Sequence, residues 1–331
     1  MDHVAVIGAG SWGTAVAALA ARQRPVVLWA RRAELAEAIN ASSENPDYLA
    51  GHRLPLGLRA TSRIEEACEA ATLVVMAVPS HGFAEVLKQI GPLPNRIPVL
   101  SLTKGIEVDT LRRMTQVVAD LLPDRKGARI GVLTGPNLAG EVMSGHPTAA
   151  VVAMEDSEAA AEIQRIFMGP TFRVYTNPDV VGCELAGSLK NVMAIAAGMS
   201  AGLGFGDNTR AALITRALAE LTRLGVALGG QPATFAGLAG MGDLIATCTS
   251  TQSRNHRVGV ELARGRKLEE ITTEMKMVAE GVKTTRSVLA LAAAAEVEMP
   301  IATQVGRVLY EGHHPREAVM SLMTREAKSE V

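Results

Sequence analysis

The sequence predicts an α/β domain followed by an all-α domain, and three observations carry that prediction. Short apolar runs at residues 4–7, 26–29, 73–78, 98–102, 130–133 and 149–154 are continuous rather than alternating, as strands covered on both faces require. Helix-compatible stretches lie between most of these runs. After about residue 177 strand-like runs nearly vanish, and Ala, Leu, Met and Gly dominate residues 185–201, 211–228 and 285–295. The expected domains are residues 1–180 and 181–331, and 331 residues suit two domains better than one.

The elements follow in order. The run at 4–7 stops at Gly8, small residues 11–21 continue as a helix, and 26–29 is the next strand. Such a unit sets a second, parallel strand beside the first. Residues 40–61, rich in Asn, Pro and Gly, read as a long excursion. Ser62-x-x-Glu65 has the spacing of a capping box and opens a helix. Beyond about 180 only helices are expected.

Composition excludes several functions. A formal net charge of −1 and 3% aromatic residues leave neither the cationic excess nor the stacking platforms of a nucleic-acid binder. Cys68, Cys183 and Cys248 form no C-x-x-C pair and read as free thiols of a reducing cytoplasm. No run approaches 18 apolar residues, so no membrane span is expected, and no leader precedes the first strand. The seven histidines show no ligand spacing, so no metal is expected; His313-His314 reads as surface.

Gly8-Ala9-Gly10-Ser11-Trp12-Gly13 fits G-x-G-x-x-G after a strand and at the start of a helix. The first glycine permits the tight turn, the second lets a pyrophosphate approach the backbone, and the third lets helix and strand pack closely. The expectation is a Rossmann-type dinucleotide-binding domain, with the helix N-terminus facing the anion. Where an NAD-selective site has an acid, the second strand ends in Leu28-Trp29-Ala30-Arg31-Arg32. Two guanidinium groups suit a 2′-phosphate, so NADP(H) is favoured and NAD(H) is still allowed.

Other residues stand out. Thr103-Lys104-Gly105 and Thr134-Gly135-Pro136-Asn137 follow strands, at the sheet edge where ligands bind. Lys104 reads as a substrate contact or a surface lysine. Lys190 lies among small and apolar residues, where a charge is costly. It reads either as a general base with a lowered pKa or as a lysine snorkelling to solvent. Asp243, flanked by glycines in Gly240-Met241-Gly242-Asp243, is a ligand contact or a cap. Ser253-Arg254-Asn255 suits a phosphate ester, or a solvated loop.

Taken in order, Gly8 to Ala15, Val78-Pro79-Ser80-His81, Thr103-Lys104-Gly105, Gly135-Pro136-Asn137, Leu189-Lys190-Asn191-Val192, Gly242-Asp243-Leu244, Ser253-Arg254-Asn255 and Val278-Ala279-Glu280-Gly281 resemble the bacterial NAD(P)-dependent glycerol-3-phosphate dehydrogenases along nearly the whole chain. The resemblance implies a Rossmann-type N-terminal domain and an all-α C-terminal domain of the 6-phosphogluconate dehydrogenase C-terminal-like kind. It implies interconversion of dihydroxyacetone phosphate and sn-glycerol 3-phosphate for glycerophospholipid synthesis, in a cytoplasmic homodimer. Lys190 matches the family's proton acceptor. Lys104, Gly135, Asn137, Asp243, Ser253, Arg254 and Asn255 match substrate contacts. Ser11, Trp12, Arg31, Arg32, Lys104, Ala139, Arg254, Val278 and Glu280 match cofactor contacts, beside the glycines Gly8, Gly10 and Gly13. Asn137 stands where the family often has Ser or Thr, and Ala279 where it often has Val.

On that reading the lysine's pKa is expected to fall from its free value of about 10.4 through the cleft and cations such as Lys104. Asp243 would orient Lys190 or a substrate hydroxyl. Two rivals keep the fold: a hydroxyacid or ketopantoate-type dehydrogenase, and a non-catalytic NADP sensor. The Ser253-Arg254-Asn255 cluster argues against the first, and Lys190, Lys104 and Asp243 against the second.

Overall fold

A computed structural model describes residues 2–122, 129–275, 279–327 and 329. The chain forms two compact units: residues up to Lys104 with Arg112–Glu184, and Gly105–Leu111 with Leu185 onwards.

The first unit follows the chain as β1 (His3–Ile7), α1 (Ser11–Ala20), β2 (Val26–Trp29), α2 (Ala33–Ser42), the hairpin strands β3 (Glu44–Asn45) and β4 (Leu49–Arg53), and β5 (Leu58–Thr61). It continues with α3 (Ile64–Cys68), β6 (Ala71–Met76), α4 (Ser80–Ile90), β7 (Val99–Ser101), α5 (Met114–Leu121) and β8 (Ile130–Thr134). Then come α6 (Ala139–Met143), β9 (Thr148–Met154), α7 (Ser157–Phe167), β10 (Phe172–Asn177) and the start of α8 (Val180–Gly202).

The eight-stranded sheet has the order β10-β9-β8-β7-β6-β1-β2-β5. From β5 across to β8 every pair is parallel. Successive residues face opposite layers. Val4 and Val6 join Val16, Leu19, Leu35 and Ile163 in one core, while Ala5 and Ile7 join Phe83, Leu87 and Val117 in the other. This double covering is why the strands read as unbroken apolar runs.

The structure refines the strand reading and corrects one cap. Residues 149–154, expected as a buried strand, form part of β9, which runs antiparallel to β8. The one-turn α6 does not carry the chain back along the sheet, so β9 returns in the opposite sense. The excursion at 40–61 contains the hairpin and β5, and β10 closes the other edge. Ser62 caps nothing: α3 begins after Arg63 without a side-chain cap, and Thr61 Oγ1 instead accepts from the Arg63 N–H and donates to Glu66.

The second unit is helical. After α8 come α9 (Asp207–Ala227), α10 (Pro232–Phe235), a π-turn (Leu238–Gly242), α11 (Asp243–Thr249), α12 (Arg254–Ala263), α13 (Leu268–Glu274), α14 (Glu280–Ala294), α15 (Pro300–Tyr310) and α16 (Pro315–Met323). α8 is long and apolar enough, by length and composition, to cross a membrane, which the search for continuous runs did not anticipate; 94% of its most apolar window is buried inside the protein. α8 and α12 meet through glycines. A Cβ at Gly198 would lie 2.0 Å from the His256 carbonyl oxygen, and one at Gly259 would lie 2.1 Å from that of Ile195. The Glu220 carboxylate, 3% exposed, accepts the Ile301 N–H at 2.8 Å and the Ala302 N–H at 3.4 Å, so α9 caps α15.

Candidate active site

The glycine turn joins β1 to α1 in the first unit. Gly8 has φ +123°, and a Cβ there would lie 2.6 Å from the Ala77 carbonyl oxygen. At Gly13 a Cβ would lie 2.0 Å from the Gly8 oxygen, whereas at Gly10 it would meet nothing within 4 Å. Gly8 and Gly13 therefore serve packing, and Gly10 leaves open space above the backbone. No side chain caps the α1 N-terminus and no acid lies in its first turn. Trp12 Nε1 is buried without a hydrogen-bond partner. A helix start with no side-chain cap, a favourable dipole and an open cradle fit a dinucleotide pyrophosphate.

The side chains around this turn differ in engagement. Ser11 Oγ donates to the Tyr48 carbonyl at 2.7 Å. Arg31 and Arg32 are exposed at the end of β2, and Arg32 is paired with the Asp47 carboxylate. Asn45, fully buried, donates from Nδ2 to the Ala9 carbonyl at 2.9 Å and to Thr14 Oγ1 at 2.8 Å. Sequence reasoning missed Asn45 and Asp47 because the segment that holds them read only as an excursion.

Further along the same sheet edge, Lys104 Nζ donates to the Gly135 carbonyl at 2.9 Å, so two expected substrate residues meet. Gly135 has φ +123°, the left-handed turn that ends β8. Both amide atoms of Asn137 and the Thr134 hydroxyl are buried without hydrogen-bond partners. Buried polar atoms are normally paired, so these point to a polar ligand. Ala139 opens α6 and is half-buried.

In the second unit, Lys190 on α8 is 5% exposed and Asp243 on α11 is 2% exposed. Lys190 Nζ lies 2.7 Å from Asp243 Oδ1 and donates to Thr247 Oγ1. The hydroxyl of Thr247 is 2.6 Å from the Asp243 carbonyl, one helical turn back, and 3.2 Å from Asp243 Oδ1. Lys190 is thus a buried ammonium with a built anionic partner, not a snorkelling lysine. The π-turn delivers Asp243: a Cβ at Gly240 would lie 2.1 Å from the Phe235 carbonyl oxygen, so only glycine allows the tight entry. Thr247, one helical turn after Asp243, was missed by sequence reasoning. Cys248 follows it, buried, and burial pushes its thiol pKa up to about 12, as it does for Cys68 and Cys183.

The Ser253-Arg254-Asn255 cluster divides its tasks. Ser253 caps α12, its hydroxyl accepting the His256 N–H at 3.2 Å. Asn255 Nδ2 donates to Asn191 Oδ1 at 2.9 Å, and its Oδ1 accepts the Gly281 N–H at 2.9 Å. Its amide stitches α8, α12 and α14 together, and Asn191 emerges as its missed partner. Arg254 opens α12 exposed, within reach of the charge of Glu280, the half-buried first residue of α14. Val278 lies outside the described residues. Among the described residues no three His, Cys, Asp or Glu side chains converge as metal ligands.

Comparison with known proteins places relatives around this chain. Residues 3–160 match the family model of the NAD-dependent glycerol-3-phosphate dehydrogenase N-terminus, and residues 179–320 match that of its C-terminus. A glycerol-3-phosphate dehydrogenase [NAD(P)+] of Sphingopyxis alaskensis is 54% identical, over 91% of this chain and 90% of that protein. One from Geobacter metallireducens is 51% identical, over 99% of each. The crystal structure of glycerol-3-phosphate dehydrogenase from Coxiella burnetii superposes with a TM-score of 0.92 at 39% identity, over 98% of this chain and 99% of that one.

Proposed function

The chain belongs to the NAD(P)-dependent glycerol-3-phosphate dehydrogenases, oxidoreductases acting on CH–OH groups, and from that premise we propose that it interconverts dihydroxyacetone phosphate and sn-glycerol 3-phosphate with Lys190 as the acid/base and NADP(H) as the preferred cofactor. The observation that carries the proposal is the buried Lys190–Asp243–Thr247 cluster. Two of the three ammonium donors point to Asp243 and Thr247, leaving one for a substrate oxygen. Reduction of the ketone needs a proton at the C2 oxygen, which the Lys190 ammonium donates. Oxidation needs that proton removed, and the neutral amine accepts it. Asp243 and Thr247 hold Nζ in place, so the proton moves from a fixed point. A bound nicotinamide supplies the hydride acceptor for oxidation and the hydride donor for reduction.

Arg254 would pair with the substrate phosphate, with Ser253, Asn255, Lys104 and Gly135 as further contacts, and binding energy from the phosphate would position C2. Asn137, whose buried amide atoms lack partners, would hydrogen-bond the polar substrate. Gly8, Gly10, Ser11, Trp12 and Gly13 would hold the pyrophosphate side of the cofactor. Arg31 and Arg32 would meet a 2′-phosphate, and Ala139, Arg254, Val278 and Glu280 would complete the cofactor contacts. A cytoplasmic homodimer supplying glycerophospholipid synthesis rests on the resemblance, and light scattering checks the dimer.

The test is one assay with four arms: NADPH or NADH, each with dihydroxyacetone phosphate or with unphosphorylated dihydroxyacetone. Turnover of the phosphate ester with NADPH ahead of NADH is expected. Comparable turnover of the unphosphorylated ketone would remove the phosphate reading, and cofactor binding without any turnover would leave a sensor.

A further inference from the structure

The segment between α2 and β4 is built onto the glycine turn. Besides its bonds to Ala9 and Thr14, Asn45 accepts the Tyr48 N–H on Oδ1 at 3.2 Å, and Ser11 Oγ holds the Tyr48 carbonyl at 2.7 Å. Both ends of the turn at 45–48 are therefore fixed to the glycine turn and the start of α1. β1 and β2 pair with Ile7 opposite Trp29, so Gly8 and Arg31-Arg32 leave the sheet at one edge. Between the two anchors stands Asp47, whose carboxylate takes the guanidinium of Arg32. Both side chains are half open to solvent, at 42% and 51% exposure. Exposed pairs of this kind add little to fold stability. Their effect falls on whatever else seeks the same guanidinium.

We propose that Asp47 is the positioning residue that sets the choice between NADP(H) and NAD(H), by competing with the 2′-phosphate for Arg32 and by offering the ribose 2′-hydroxyl the acid that β2 lacks. The inference rests on the proposed meeting of Arg31 and Arg32 with a 2′-phosphate. That phosphate must draw Arg32 away from Asp47 and then lie beside a like charge. With NAD(H) the phosphate is absent, Arg32 stays on Asp47, and the carboxylate accepts a hydrogen bond from the hydroxyl. In NAD-selective sites the equivalent acid stands at the end of the second strand; here a loop pinned to the glycine turn brings it. One carboxylate thus weakens one cofactor and assists the other.

The test is fluorescence titration of the whole protein with NADPH and with NADH, read as the ratio of their Kd values. Asp47→Asn keeps the shape and removes the charge. The preference for NADPH should rise by about fivefold or more, the size of one screened unit charge at contact distance. Asp47→Glu should keep the native ratio. In an Arg32→Ala background Asp47→Asn should improve NADPH binding less than in the native protein, because the competition for the guanidinium is gone and only the like-charge repulsion is left to remove. If Asp47→Asn weakens both cofactors together, Asp47 only braces its loop, and if the ratio stays put it has no role; either result overturns the inference. Arg32→Ala alone separates the two claims. Equal losses for both cofactors would remove the 2′-phosphate reading itself, whereas an NADPH-selective loss beside an unmoved Asp47→Asn ratio would remove only the role of Asp47.

Discussion

Lys190 is held by two partners of different kinds, and their removal should read differently. Lys190→Arg keeps a cation opposite Asp243 but cannot release a proton near neutral pH. Its kcat should fall by about 10²- to 10⁴-fold, with NADPH affinity near that of the native protein. Lys190→Met should lose as much activity and also melt lower, because Asp243 is left buried without its cation, at a cost of about 3–5 kcal/mol. Near-normal turnover by folded Lys190→Arg would move the acid/base role to another residue. Thr247→Val removes one hydrogen bond to the ammonium and no charge, so kcat should fall by about tenfold to a hundredfold, and Thr247→Ser should restore most of it. A KM change without a kcat change in Thr247→Val would make the threonine a packing residue only. At this scale the sequence was half legible. Lys190 and Asp243 stand out as charges among apolar residues and glycines. Thr247 does not, because a helical threonine bonding back one turn is ordinary, and its bond to Lys190 joins residues far apart in the chain.

Elements were legible where both faces of a strand are covered. Of the eight-stranded sheet, the two strands missed as continuous runs, β5 and β10, are its edges; the short hairpin strands β3 and β4 were missed as well. β10 alternates buried and exposed residues from Phe172 to Tyr175, so no unbroken apolar run marks it. Among helices, the tie between α9 and α15 makes a pH prediction. Burial raises the Glu220 pKa from its ordinary 4.5 to about 7, against the pull of the Ile301 and Ala302 N–H groups. The folded state then binds a proton that the unfolded state has released over that interval. Stability from this group is full below about pH 4.5 and is lost as the pH rises through about 7. Glu220→Gln keeps an acceptor oxygen and cannot titrate. Melting curves from pH 4.5 to 8 should show the native protein losing on the order of 3 kcal/mol relative to Glu220→Gln. Parallel profiles for the two proteins would mean that Glu220 stays ionised throughout.

For the whole molecule, the residues proposed to hold the cofactor at the glycine turn and after β2 lie in the first unit, as do Trp12 and Trp29, the two tryptophans of the chain. Tryptophan fluorescence therefore reports the melting of that unit. NADP+ at a hundred times its Kd should stabilise it by about 2.7 kcal/mol and raise that transition, with NAD+ at the same concentration raising it less. A tryptophan transition indifferent to NADP+ would remove the cofactor assignment from this unit. The two-part organisation was legible from the loss of strand-like runs near residue 177. The membership of Gly105–Leu111 in the helical unit was not, since nothing in its composition differs from a loop after β7.

That short segment has a consequence in time. Synthesis runs from the N-terminus, so Gly105–Leu111 leaves the ribosome well before Leu185 and the helices with which it forms a unit. Ser188, whose hydroxyl donates to the Gly105 carbonyl, and all of α9 to α16 are still unmade when β10 is complete. At about 5–20 residues per second the rest of the chain takes roughly 10–30 s. Through that interval Ile106, buried in the finished protein, has no unit to be buried in. The nascent first unit thus carries a segment whose own unit is completed only when the rest of the chain has been made.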